Sequence, residues 1–331
     1  MRVFVPTFRR LRLLERALAS LRAQKLTDWI CEVHNDAPDD PAPAELVARL
    51  ADARISYRPH PRNLGGTETF NLFFRAASEP FYAMLEDDNA WQPDFLRTML
   101  SVAREHPDVT VFWSNQRVWQ EERDGVVRDT GRFVHPDATD AQPRRIQWGQ
   151  PAQMCGALHA HSAALFRSRA GNEFRTPNVP IAVVEPFRER LLPHPMVFVP
   201  QPLADFTQTQ TTARSGDRGE WAVVQTMLAA TFLRHASYPT GQICQIFRHA
   251  RSRRPPTTST LLMASLMDPA CRALRAHAHA VDWLRLARSS ARWPRILPRV
   301  LRSRREHADW WEFLDRATAV RFAEQRPGMS A

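Results

Sequence analysis

The chain has 331 residues, 44% of them hydrophobic and 24% charged, a composition that supports a sizeable core and excludes a disordered or low-complexity polypeptide. Its net charge of +10 is unevenly placed: residues 221–331 hold 18 arginines against 7 acidic residues, so residues 1–220 are close to neutral. Cys31, Cys155, Cys244 and Cys271 share no CxxC spacing, and no apolar run nears the roughly 18–20 residues that span a bilayer, so zinc knots, disulfide frameworks and membrane spans are not expected.

In chain order, Arg2 to Pro6 reads as a strand that leaves no room for a signal peptide, which points to a cytoplasmic protein. Leu11, Leu14, Ala17, Leu18 and Leu21 mark one face of a helix. Ile30 to His34 is a second strand, Ala44 to Leu50 a helix, Ile55 to Arg58 a third strand and Thr67 to Ala77 a third helix. Phe81 to Leu85 is a fourth strand, Pro93 opens the next helix, and Val109 to Trp113 is a fifth strand. Alternation of this kind predicts a Rossmann-like α/β fold, a doubly wound and mostly parallel sheet. Between 125 and 205 the pattern is strand-like at Val126–Val127, Phe133–Val134, Gln153–Arg167 and Met196–Val199, with a helix over Glu185–Leu192. Beyond Arg214 it is helical and basic, which gives an α/β domain over 1–215, with halves 1–100 and 101–215, and a helical C-terminal extension over 216–331.

Ligands of doubly wound sheets bind where loops leave the carboxyl ends of strands. Three such ends are polar here: Pro6-Thr7, Asn35-Asp36 and Glu86-Asp87-Asp88. Three adjacent carboxylates repel one another, and a divalent cation held against a diphosphate is one way to offset that; a solvated acidic turn capping the helix near Pro93 is the other.

Taken together, Val3-Phe4-Val5-Pro6-Thr7-Phe8-Arg9-Arg10, Val33-His34-Asn35-Asp36-Ala37, Asn63-Leu64-Gly65-Gly66 with Asn71, and Leu85-Glu86-Asp87-Asp88-Asn89-Ala90-Trp91-Gln92-Pro93-Asp94 resemble, in order and spacing, the inverting family 2 glycosyltransferases of GT-A fold. The likeness runs over residues 2–100 and more loosely to about 215. It implies a nucleotide-sugar donor, with Pro6, Thr7, Asn35, Asp36, Asn63, Gly65, Asn71, Glu86 and Asp87 around the nucleotide, and Asp88 with Asp87 holding Mn²⁺ or Mg²⁺. Asn35 stands where the family has the first acid of a pair.

The same resemblance implies a general base at Glu185, where Pro186 replaces the second acid of the family's Glu-Asp pair, with Glu173 and Asp205 as alternatives. The family's histidine after the catalytic domain is missing, so the resemblance leaves metal binding to Asp88 and the donor phosphates, with Gln208 or Arg214 as candidates to assist. Trp91, Gly156 and His159 fall in stretches similar to those that face the acceptor. A cell-surface or lipid-linked glycan, as in polysaccharide biosynthesis, or a secondary metabolite precursor would fit as acceptor.

Trp293, Ile296, Leu297, Val300 and Leu301 follow helical spacing with arginines between them, a pattern for peripheral contact with an anionic membrane or for packing with a solvated basic face. Two other readings compete with the enzyme: a non-catalytic nucleotide-binding scaffold of the same fold and a basic nucleic-acid-binding protein. The charge avoids the α/β half and no nucleic-acid module is present, so nucleic acid is not an expected partner.

Overall fold

The computed structural model describes residues 1–74, 78–138, 142–169, 171, 173–210, 218–252 and 256–325, which leaves Ala77, the expected end of the third helix, and Arg214 outside it. The chain forms two compact units. The first comprises Met1–Gln147, His159–Asn178 and Leu192–Ala213, the second Trp148–Leu158, Val179–Leu191 and Arg214–Ala331.

In the first unit the elements are β1 (Arg2–Thr7), α1 (Leu11–Arg22), β2 (Ile30–Asn35), α2 (Ala42–Leu50), β3 (Ile55–Pro59), α3 (Gly66–Phe73), β4 (Phe81–Met84), β5 (Ala90–Trp91), α4 (Phe95–Glu105), β6 (Val111–Glu121), β7 (Val127–Phe133), β8 (Arg144–Ile146), β9 (Ala164–Arg167) and β10 (Met196–Gln208). The strands form one sheet in the order β3-β2-β1-β4-β9-β6-β10-β5, with β7 on β6 and β8 on β10. β1 runs parallel to β2 and β4, β2 to β3, and β6 to β10. This is the expected mixed α/β architecture, and β1 is its switch point: the chain builds outward to β3, then crosses back to place β4 on the other side.

The central strands are apolar on both faces because helices cover both. Val3, Val5, Val33, Ala83 and Met84 are all fully buried. Phe166 of β9 stacks on Tyr82 at 5.3 Å and meets Phe73 and Phe74 edge-on, closing the core between β4 and α3. Along α1 the buried residues are Leu13, Leu14, Ala17, Leu18 and Leu21. Leu13 thus takes the place expected of Leu11, which is 37% exposed at the first turn.

Three further expectations shift. The helix expected to open at Pro93 starts at Phe95, since the Pro93 carbonyl accepts from the Lys25 amide and Asp94 becomes the cap. The fifth strand is extended to the 11-residue β6 because it pairs β10 through its polar half as well. Gln153–Arg167 is not one strand: residues 151–155 and 161–163 are 3-10 turns, and only Ala164–Arg167 pairs in the sheet. In β10, Pro200 and Pro202 bring no N–H to the ladder, and the register with β6 slips there, so that Ala204 and Asp205 turn to pair β5.

The second unit holds α5 (Val184–Glu189), α6 (Arg218–His235), α7 (Thr240–Ala250), α8 (Thr258–Met267), α9 (Ala280–Arg292), α10 (Ile296–Glu306) and α11 (Ala308–Ala323). Val223, Val224, Met227, Leu228, Ala229 and Phe232 bury α6 on several faces, making it the centre of this unit. Arg190 is fully buried and donates to the carbonyls of Gln153 and Met154, both at 2.7 Å, while Glu189 accepts from the Ala157 and Leu158 amides. The Trp293–Leu301 stripe is not a single helix, since Trp293 ends α9 and α10 begins at Ile296 beyond Pro294. Among the described residues no helix is long and apolar enough to cross a membrane.

Candidate active site

The acidic motif leaves β4 in a turn closed by the Asn89 amide donating to the Glu86 carbonyl at 3.0 Å. Both flanks of the turn are pinned. The Glu86 carboxylate accepts from Asn89 Nδ2 (2.8 Å), Ser162 Oγ (2.7 Å) and the Ser162 amide (3.1 Å). Asn89 Oδ1 accepts from the Thr207 amide of β10 at 2.9 Å, and Arg16 of α1 donates to both the Asp88 carbonyl and the Thr207 hydroxyl.

Pinned in this way, Asp87 and Asp88 meet the end of β1. Asp87 is 6% exposed and accepts from Thr7 Oγ1 at 2.8 Å. Arg9 sits in the left-handed region at φ 54°, a sharp turn for a non-glycine residue, and it is followed by Arg10, whose side chain returns to the acids. A single Arg10 nitrogen, Nη1, contacts Asp88 Oδ2 at 2.9 Å and Asp87 Oδ1 at 3.4 Å. Burial, then the charge of Asp88, push the Asp87 carboxyl up to about 7, against the pull of Arg10, Thr7 and the Phe8 amide.

Asp36, at the end of β2, is held differently. Its amide donates to the Thr7 carbonyl at 3.0 Å, so Thr7 touches both acidic strand ends. Its carboxylate accepts from the Leu64 amide (2.7 Å) and the Gly65 amide (2.9 Å) and meets His60 Nδ1 at 2.9 Å, while Asn63 Nδ2 donates to its carbonyl. Gly65, at φ +82°, lets the loop turn its amides onto that carboxylate. His60 Nε2 in turn lies 3.2 Å from His34 Nδ1, and burial followed by His60 pushes His34 down to about 4.

Several expected ligands are engaged by the protein itself. Asn35 is fully buried: its Nδ2 donates to the Ala37 and Asp40 carbonyls and its Oδ1 accepts from the Ala37 amide, organising the turn after β2. Asn71 exchanges hydrogen bonds with the backbone of Thr176. Pro6 is buried within β1. Trp91 is buried, stacked on Phe95 at 4.4 Å with its indole N–H on the Ser162 carbonyl, so it supports the motif from beneath. His159 is half-buried against Phe206 at 4.2 Å. Gly156, at φ +93°, belongs to the second unit, where a Cβ would lie 2.9 Å from that of Pro186. Glu185 is half-buried in the first turn of α5. Glu173 is exposed, and Asp205 is buried and accepts from Gln92 Nε2 at 2.8 Å.

Arg10, Arg16, His60 and Ser162 are the site residues that sequence reading overlooks. Arg10 closes the first motif but has no role assigned to it there, Arg16 is one arginine among 44, and Ser162 lies in no motif. The chemistry of the donor set fits a hard divalent cation: two adjacent carboxylates, one buried and pushed up by the charge of the other.

Residues 2–160 match the family described as Glycosyl transferase family 2. No curated protein matches the chain. Among solved structures the fold is similar to that of S. aureus TarS 1-349 in complex with UDP-GlcNAc, with a TM-score of 0.60, 14% identity, and coverage of 96% of this chain and 90% of that one. The UDP complex of the same protein gives a TM-score of 0.59 at the same identity and coverage. A mannosyltransferase from Pyrobaculum calidifontis in complex with GDP-Man and Mn²⁺ gives 0.47 at 15% identity, over 98% of this chain and 87% of that one. Residues 2–160 are thus similar to glycosyl transferase family 2, and the chain shares the GT-A fold of these structures.

Proposed function

We propose that the protein is an inverting enzyme that moves a sugar from a nucleoside diphosphate to a hydroxyl of a glycan or lipid-linked glycan. The observation that carries the reading is the buried Asp87 beside Asp88 at the switch point of the sheet, both meeting the Arg10 guanidinium. Asp88, with Asp87 beside it, would hold Mn²⁺ or Mg²⁺, whose chemistry is to neutralise the charge gathering on the leaving diphosphate. Asp36 holds the Asn63–Gly65 loop in place beside Thr7, and that loop and Thr7 bind the nucleoside. Glu185 takes the proton from the acceptor hydroxyl as its oxygen bonds to the anomeric carbon, and the bond to the nucleoside diphosphate breaks on the opposite side. One displacement of this kind inverts the anomeric centre.

The enzyme would work in the cytoplasm, at the inner face of the membrane where the acceptor is lipid-linked. The exposed Trp283, Leu284, Trp293 and Leu301 among the arginines of α9 and α10 support that placement. UDP-GlcNAc is the first donor to try, since the similar TarS fold is seen with it.

Thermal unfolding with UDP, GDP, dTDP and CDP, each with and without Mn²⁺, tests the site. One nucleotide should stabilise the protein only when the metal is present, by about 2.7 kcal/mol at a hundredfold excess over Kd. Shifts that ignore Mn²⁺ and survive Asp88→Asn would defeat the assignment of the metal ligands.

A further inference from the structure

His60 lies behind the Asn63–Gly65 loop and takes no part in the transfer chemistry. Its place is set by the sheet: one residue past β3, its amide donates to the Asn35 carbonyl at 2.9 Å, which brings the ring to the end of β2. There it is 6% exposed, and its Nδ1 lies 2.9 Å from Asp36 Oδ1. The same Oδ1 accepts from the Leu64 amide at 2.7 Å, and Oδ2 accepts from the Gly65 amide at 2.9 Å. Both carboxylate oxygens act as acceptors, so the hydrogen between Asp36 and His60 sits on Nδ1.

Which ring nitrogen of a histidine holds the hydrogen is set by the bond that the other one makes. His60 Nε2 lies 3.2 Å from His34 Nδ1, a gap that one hydrogen fills. His34 is itself held in β2: its ring stacks on Phe4 at 4.1 Å, and its Nε2 faces Glu32 Oε2 at 3.6 Å. Arg2 at 3.2 Å and Arg58 at 3.4 Å pair with that carboxylate. Burial, then His60, push His34 down to about 4, so near neutral pH it keeps one proton, and the gap to His60 is where that proton is within hydrogen-bond reach. His60 Nδ1 then keeps its own hydrogen for Asp36.

The two amides on Asp36 belong to the loop that it holds, whereas His60 is anchored in the sheet. The terminal torsion of an aspartate is broad, so a donor fixed to the sheet narrows the setting of the carboxylate and of the amides upon it. We propose that His60 is a positioning residue for donor binding, which sets Asp36, and through it the Leu64 and Gly65 amides, in the geometry that receives the nucleoside. The proposal rests on the nucleotide reading of that loop. Without His60 the ordering of the loop falls on the nucleotide, which binds more weakly.

Calorimetric titration of UDP, GDP, dTDP and CDP with Mn²⁺ into the full chain tests the proposal. His60→Leu, His60→Asn and Met99→Ala are compared with the unaltered protein, after thermal unfolding confirms that each is folded. Asparagine sets an amide N–H where Nδ1 stands and leucine sets none, while Met99→Ala opens the buried core at α4 and is the destabilised control. The nucleotide that binds the unaltered protein should bind His60→Leu about tenfold more weakly and His60→Asn within about threefold, with Met99→Ala unchanged. Nitrogen NMR of histidine-labelled protein near neutral pH should find the hydrogen of His60 on Nδ1. Binding that His60→Leu keeps in full, a loss that His60→Asn or Met99→Ala shares equally, or a bare Nδ1 on His60 overturns the role of His60 alone. An unaltered protein that binds none of the four nucleotides overturns the nucleotide reading, and this proposal with it.

Discussion

Two acidic strand ends lie side by side in the first unit, and they are held in opposite ways. At the end of β2, Asp36 meets two backbone amides and His60, enough donors to compensate its charge without any ligand. Beyond β4, Asp87 and Asp88 share a single nitrogen of Arg10, and burial with mutual repulsion pushes Asp87 up to about 7. An acid saturated by backbone amides builds a loop, whereas a buried acid pushed up by its acidic neighbour is suited to a cation.

The largest effect should come from the acid pair beyond β4. Asp88→Ala should lower sugar transfer on the order of 10³-fold or more, the several kcal/mol that a lost cation withdraws from the leaving group. Nucleotide release measured with Mn²⁺ checks this. A rate within tenfold of the unaltered enzyme would remove the contrast, since Asp88 would then be no more functional than Asp36.

Stability should show the reverse order. Asp36→Ala leaves the Leu64 and Gly65 amides and His60 without their acceptor, a loss of about 2–4 kcal/mol in urea unfolding. Asp88→Ala should cost under about 0.5 kcal/mol, because it also relieves repulsion with Asp87. Arg10→Ala removes a guanidinium that the pair shares and should cost about 1–2 kcal/mol, discounted for partial exposure. Mn²⁺ should raise the melting temperature of that variant more than that of the unaltered protein; an equal rise would mean the cation binds elsewhere.

The smallest effect concerns the closed end. His34 lies one imidazole beyond Asp36 and is pushed down to about 4, below its ordinary value of roughly 6.5. Between those values the unfolded chain binds the extra proton, so this contribution to stability is complete above about pH 6.5 and declines as pH falls towards 4. His34→Gln should flatten that part of the profile, as read from denaturant midpoints at pH 7, 6 and 5.

The comparison also marks how far sequence reading reaches. Asp36, Asp87 and Asp88 were legible because each follows a short apolar strand, and strand ends in this fold class face ligand. Asn35 and Asn71 stand in the same motifs, yet their amides close a turn and tie α3 to Thr176. Nothing in the residue type tells an amide that meets a ligand from one that meets its own backbone.

By itself the sequence determined the alternation of strand and helix through residue 105, the resemblance to a family and the acidic triplet, because periodicity and local motif depend on neighbours in the chain. Tertiary structure alone decided the rest. It chose Arg10 among 44 arginines as the partner of the acids, and it broke Gln153–Arg167 into turns and one short strand. It also gathered Trp148–Leu158 and Val179–Leu191, with the helices after Arg214, into one unit. Those choices rest on contacts between residues tens of positions apart, whose energy depends on geometry and burial rather than on residue type.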